Sequence, residues 1–546
     1  MEELTLKHID ILKNTQDLGT WLRSIETISK LTIKKLSTLN AYHQFLIFQF
    51  AYPKSATTFR MVKKELARID EIVKNSNKLK LLSNTGLSYT SICCSFSAPL
   101  AQWLTSRFNK AVWLEGSTAG PETIQNILQS LLPGIEYENS TQRNLSITDR
   151  IKKITGLKER HEQLKWILQL FEQNKNSTLV NDELYRQLAL YIQWDITTLP
   201  ITIDALSELN KVYYHQQFIT KINSHSIIKE KIKKAARIPM KQKSDLLDFM
   251  KLSLAKMCRE TDPITYGDTN QLELFEMGRG LKIALIGMQL NRRLALESYI
   301  GFMAFKNGIP VSYGGGWIWG HRCKIGVNIF PAFRKGESAW LFSQILRLYH
   351  QQYTIHHFIV KPYQFGKGNL EGLQSGAFWF YYKLGFRPAS ALINQLAEKE
   401  MLKIKNDNTY RSSIKTLYSF TRSNLELKLT ENVLPNFDAG IVSKIISDYI
   451  NVNFQGDRAM AVQAGKRLIK KIIPVSLWKN RFISNESILD NWALLYAFLT
   501  STNSLTNKEE ISFVRLIQNK VKLSEYVYIK YLQKQYWLWR KLALKN

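Results

Sequence analysis

The sequence predicts an α+β protein of several domains, with a central mixed β-sheet and its helices flanked by mostly α-helical N- and C-terminal regions. Three observations carry that prediction. The chain has 546 residues, more than one ordinary domain holds. Residues 281–330 read as short apolar strands separated by hairpin and glycine signals. On either side, apolar residues recur mostly at helical spacing. Hydrophobic residues make up 45% and charged residues 22%, as in globular chains, and 12% aromatic residues favour large cores over disorder.

Residues 1–250 are expected to be all-helical, in one or two units. Trp21, Leu22, Ile25 and Ile28 repeat at helical spacing. Pro53 ends a second apolar helix, and Pro99 falls in the first turn of a third, after an extended piece. Cys93 and Cys94 read as small buried residues. The run Lys229 to Arg237 reads as a basic helix face bathed in solvent. Residues 391–546 are expected to return to helix, with a loop at 432–437 and one long helix over 509–542.

Residues 255–390 form the central α/β domain. A strand is expected at 281–288 and another at 299–306. Asn307-Gly308, the strongest short hairpin signal, leads into 309–319, which contains Gly314, Gly315 and Gly316. Residues 324–330 are a further strand. The period then changes: Trp340, Leu341, Ile345, Leu346 and Tyr349 mark a helix. A strand at 356–360 and a helix carrying Ala377, Phe378, Phe380 and Tyr381 follow, ending at Gly385. The order is meander, helix, strand, helix.

Net charge is +30, from 75 Lys and Arg against 45 Asp and Glu, which favours acidic partners and says nothing of fold. Nucleic acid is a candidate partner but not the favoured one, because aromatics do not interleave with the basic run. Four cysteines make no disulfide framework and no Cys-x-x-Cys pair. No apolar run follows a basic start, and none reaches membrane-spanning length, so a cytoplasmic protein without a transmembrane segment is expected.

The turn Arg334-Lys335-Gly336-Glu337-Ser338-Ala339 opens the first helix of the central domain. A helix N-terminus exposes unpaired N–H groups and about half a positive charge. Gly336 lets a diphosphate approach the backbone, Ser338 adds a hydroxyl, and Arg334 and Lys335 add charge. The same residues also suit a plain strand-to-helix turn. Downstream stands Ala377-Phe-Trp-Phe-Tyr381-Tyr-Lys-Leu-Gly385-Phe386.

Together, the loop and the Tyr-Tyr-Lys-Leu-Gly-Phe piece resemble the GNAT superfamily of N-acetyltransferases over residues 255–390. Phe333, Ser338 and Gln374 depart from that pattern. The resemblance implies transfer of an acyl group from acetyl-CoA, another acyl-CoA or a related activated donor to a small-molecule or protein amine. It implies donor binding by residues 334–339 and a proton donor at Tyr381. For the base, Glu297 and Glu337 are the candidates. The alternatives are packing of Tyr381 with Phe378 and Phe386, and a non-catalytic scaffold that binds an acidic or nucleic-acid partner.

Overall fold

The computed structural model describes residues 3–15, 17–77, 79–138, 144–175, 177–197, 211–334, 336–407, 409–430, 438–473, 486–522 and 524–543. The chain divides into two compact units. Unit 1 comprises Met1–Gln216, Ser244–Thr261 and Lys306–Pro310; unit 2 comprises Gln217–Lys243, Asp262–Phe305 and Val311–Asn546. The class is α+β. The expected loop at 432–437 lies outside the described residues.

Unit 1 is not all-helical. Strands β1 (Ser91–Cys94), β2 (Val112–Ser117) and β3 (Leu190–Asp195) form an antiparallel sheet in the order β1-β3-β2. In β3, Leu190, Ile192 and Trp194 point inward and Tyr191 outward. Six residues of period-two alternation are easily lost among long helical repeats. Helices α1 (Leu36–Ala51) and α2 (Ala56–Lys74) are tied by Tyr42, whose hydroxyl donates to Glu65 at 2.8 Å. Helices α3 (Ala98–Phe108), with its proline at the N-terminus, and α4 (Arg160–Gln173) share one apolar core with the sheet through Leu100, Leu104, Leu164 and Ile167. Cys93 and Cys94 are half-buried rather than buried.

The larger sheet contains β4 (Glu273–Gly278), β5 (Leu281–Ile286), β6 (Ser298–Lys306), β7 (Ile309–Trp319), β8 (Arg322–Ile329), β9 (His357–Val360), β10 (Arg387–Pro388) and β11 (Leu425–Lys428), in the order β10-β11-β9-β8-β7-β6-β5-β4. All nine residues of β6 are buried, as a continuous apolar run covered on both faces requires. Asn307 and Gly308 both have positive φ, +47° and +86°, the backbone of a tight two-residue hairpin. Gly314 serves close approach: a Cβ there would lie 2.1 Å from the Gly326 carbonyl oxygen. The pair β8/β9 is parallel, while β4/β5, β7/β8, β9/β11 and β10/β11 are antiparallel.

Between β8 and β9 runs α5 (Ser338–Tyr353), and α6 (Ala377–Lys383) follows β9. The sheet does not end at 390, because β11 inserts between β10 and β9. The expected long helix over 509–542 is three helices: α7 (Asn507–Lys520), α8 (Glu525–Gln533) and Tyr536–Ala543. The break lets Glu525 turn back to Lys520. Their fully buried side chains pair at 2.7 Å, and Ser298 donates to the same carboxylate at 2.9 Å. Lys520 also donates to the Glu297 carbonyl at 2.9 Å, and Tyr528 to that of Leu296 at 2.6 Å. These bonds fasten α7 and α8 to the start of β6.

The basic run at 229–237 is not a helix face either. The helix Ser224–Lys229 ends where the run begins; Glu230 is extended, and the residues after it form no helix, with Ala236 bridged to Leu274. Their backbone partners come from elsewhere in the unit. Arg347 of α5 donates to the Glu230 carbonyl at 3.0 Å and to that of Lys231, and Ala236 donates to Leu274 of β4 at 2.8 Å.

Candidate functional site

The feature that sets this sheet apart is an unequal pairing. β8 pairs with β7 along its whole length, from Arg322 opposite Trp319 to Ile329 opposite Ser312. With β9 it pairs only through Arg322, Cys323 and Lys324. β9 ends at Val360, one residue after Ile359, the partner of Lys324, and β8 runs on without it to Ile329. Phe330 donates its N–H to Val311 of β7. By alternation, the backbone groups of Ile325, Val327 and Ile329 turn to the side that β9 has left. The amide of Gln364 approaches this opening, 3.0 Å from where a Cβ on Gly326 would stand.

The chain leaves β8 through Pro331–Phe333, a single tight turn, and enters α5 at Ser338. The side chain of Phe333 is buried. Arg334 pairs with Glu371 at 2.5 Å and donates to the Ile329 carbonyl at 3.2 Å. Lys335 lies outside the described residues. Gly336 donates to Phe333 at 3.1 Å, Ser338 donates its hydroxyl to the Arg334 carbonyl at 2.9 Å, and the Ala339 carbonyl accepts from Ser343 at 2.9 Å. Glu337 is the N-cap residue and only 1% exposed. Its carboxylate meets Arg279 at 2.5 Å and accepts from the Ile219 N–H at 3.0 Å. A carboxylate here complements the positive end of the helix. Paired in this way, Glu337 is a structural anion rather than a base with room to take a proton.

Tyr381 lies on α6 against α5. Its ring packs edge-on with Phe342 at 5.6 Å and Phe386 at 5.9 Å. It is 3% exposed, and burial pushes its phenol above the usual range, so the proton stays on oxygen. The packing alternative is thus met by Phe386 but not by Phe378, which stacks on Phe420 at 4.1 Å. Glu297 stands just before β6. Its carboxylate pairs at 2.6 Å with Lys324, the last residue at which β8 and β9 meet. Among the described residues no contact joins Tyr381 to Glu297.

Around Lys324 the structure gathers charges that the sequence reading did not single out. On β8, Arg322 and Lys324 share a face; His357 of β9 and Glu426 of β11 pair at 3.0 Å. Burial lowers the Arg322 guanidinium, against the pull of Glu426, Asp438 and Glu297. His357 holds the Glu426 carboxyl below its ordinary value despite burial, with help from Lys428 and Arg322. Asp438 is held low too: burial pushes it up, and the Ile441 N–H with Lys324, Lys361 and Arg322 outweighs that. A dense, half-buried set of charges at the base of a strand opening marks a functional-site candidate. Arg322-Cys-Lys324 and Leu425-Glu-Leu-Lys428 alternate, but runs of three and four residues are too short to have announced it. Arg279 is engaged with Glu337, Arg293 donates to the Lys520 carbonyl at 3.1 Å, and Asp268 accepts from Asn270 at 2.9 Å.

No protein-family model, curated protein or solved structure matches the chain. Among the described residues no helix is long and apolar enough to cross a membrane, and no group of three or more His, Cys, Asp or Glu is arranged to hold a metal ion.

Proposed function

We propose that residues 255–390 form a GNAT-like acyltransferase domain that moves an acyl group from acetyl-CoA, another acyl-CoA or a related activated donor to an amine. The observation that carries this reading is the edge of β8 left unpaired where β9 ends, beside the turn into α5. By alternation the N–H groups of Val327 and Ile329 face this edge, with which no strand pairs among the described residues, and the order meander, helix, strand, helix surrounds it. Donors fixed before reaction stabilise an oxyanion without reorganisation.

In this reading the thioester carbonyl lies along the free edge of β8. The amine nitrogen attacks it, and the amine proton passes to a carboxylate of the charged cluster, Glu297 being the nearest candidate to the strand junction. The C–S bond then breaks, and the leaving thiolate takes a proton from the phenol of Tyr381, which must first be reached through its aromatic packing. The donor's diphosphate is assigned to residues 334–339 at the start of α5.

The competing reading is a non-catalytic scaffold with the same fold. It is favoured by the internal bonds of Gly336, Glu337 and Ser338, by Gln364 at the opening and by the burial of Tyr381. A thermal melt with and without millimolar acetyl-CoA at fixed salt separates the two. A ligand at a hundred times its dissociation constant adds about 2.7 kcal/mol of stability. A rise in Tm that disappears in Gly336→Glu supports the donor site. No rise at any donor concentration, with the protein folded, removes it. Tyr381→Phe then sorts the roles: unchanged donor binding with turnover lowered tenfold or more supports the acid, and unchanged turnover leaves Tyr381 as a packing residue.

A further inference from the structure

The lysine run is held in a way that a solvated basic segment is not. Arg347 fixes its backbone at Glu230 and Lys231, and the β4 edge fixes it at Ala236. The stretch between these anchors carries Lys231, Lys233 and Lys234, which with Lys243 line one cleft of about 780 Å³ within unit 2. The rest of the lining is largely polar, from Asn270, Gln271 and Gln351 among others.

Among the described lining residues, Glu273 carries the one carboxylate. It accepts from Gln352 at 3.0 Å; burial raises its pKa against the pull of Gln352 and Lys243, and one carboxylate stands against four ammonium groups. At the rim Tyr526 is 40% exposed, with its ring 6.2 Å from that of Tyr353. Four like charges in one concave wall repel one another unless an anion joins them, and a flat exposed ring beside them suits a base.

We propose that this cleft binds a nucleotide ligand, with consecutive phosphates on Lys231, Lys233, Lys234 and Lys243 and a base against Tyr526. The ligand is either a free nucleoside triphosphate or a single-stranded polynucleotide, which present the same groups. The site shares no residue with the β8/β9 opening and stands or falls apart from acyl transfer.

The test is equilibrium binding of ATP, of inorganic tripolyphosphate and of a twelve-nucleotide single-stranded RNA to the full chain at 50 mM salt. The variants are Lys231→Glu/Lys233→Glu/Lys234→Glu, Tyr526→Ala, and a control with the same charge change on exposed lysines elsewhere, Lys399→Glu/Lys405→Glu/Lys508→Glu. We expect the cleft triple variant to weaken ATP and RNA tenfold or more and the control less than threefold. Tyr526→Ala should weaken ATP about threefold or more and leave tripolyphosphate unchanged. Four phosphate contacts predict a log–log salt slope of about −3 for the single strand. RNA binding at least tenfold tighter than ATP assigns the polynucleotide as ligand; the reverse order assigns the free nucleotide. The proposal is overturned if neither ATP nor RNA binds, if the control triple variant weakens them as much as the cleft variant, or if Tyr526→Ala affects tripolyphosphate and ATP alike.

Discussion

The two ends of α5 lie on the same sheet and solve opposite electrostatic problems. At its N-terminus a single carboxylate, Glu337, is buried against the positive end of the helix and closed off by Arg279. Near its C-terminus, Gln351, Gln352 and Tyr353 line a cleft of lysines that stays open. Three imidazoles gather at this end as well: His350 lies 5.5 Å and His321 5.0 Å from His356, ring to ring, with Lys530 bonded to Thr354 nearby. Both ends follow the helix dipole, acid at the start and base at the finish. The difference is that one charge is met inside the protein and the others are offered outward. Glu337 turns its carboxylate to Arg279 and the Ile219 N–H and makes no side-chain bond to the helix it caps, so a diphosphate at residues 334–339 would meet the helix N–H groups beside an anion already paired.

Breaking the closed end should have the largest effect. Arg279→Ala leaves the Glu337 carboxylate buried without its cation, at a cost of about 3 kcal/mol in denaturant unfolding. Adding Glu337→Gln should recover more than half. A cost under about 0.5 kcal/mol in the single variant would show that the pair holds nothing together.

Arg347→Ala removes the anchors of the lysine run from the open end. Two lost bonds predict about 1–2 kcal/mol, together with faster amide exchange at Lys231 to Ala236. Unchanged exchange there would mean that β4 alone orders the run.

Acid should act next, at the imidazoles. Burial, with His321, His350 and Lys530 around it, lowers the pKa of His356 to about 4 from 6.5. The folded state therefore binds the proton less readily than the unfolded one. This stability is complete above pH 6.5 and is lost as pH falls from 6.5 towards 4. His43 of unit 1, lowered to about 3 by burial and Lys256, acts in the same direction. His356→Asn should flatten part of the acid slope, and an unaltered slope would place the loss elsewhere.

The smallest change is expected from Lys233→Ala, an exposed side chain whose removal should shift stability by less than about 0.5 kcal/mol. A larger loss would mean that the lysines brace the fold.

Much of the larger sheet was legible in the sequence because its signals are local. Asn307-Gly308 set the hairpin through the backbone freedom of two adjacent residues. The unbroken apolar run of β6 announced a strand covered on both faces. The spacing of Trp340, Leu341, Ile345 and Tyr349 marked α5 and its buried side. Of the described residues, Arg334 and Gly336 lie before α5 and Ser338 and Ala339 open it, and Tyr381 lies on α6 against α5.

What the tertiary structure alone decided depends on partners far away in the chain. β10 has two residues and β11 four, too short to show a period, and they are strands because β9 and each other supply their hydrogen bonds. The lysine run gave up helix because Arg347 and Leu274 satisfy its backbone. The unpaired edge of β8 follows from a parallel pairing of three residues, and Glu297 reaches Lys324 only because β6 and β8 flank β7. Residue types and spacing fix what a segment can form with itself; which distant group meets its backbone or its charge is settled only when the whole sheet assembles.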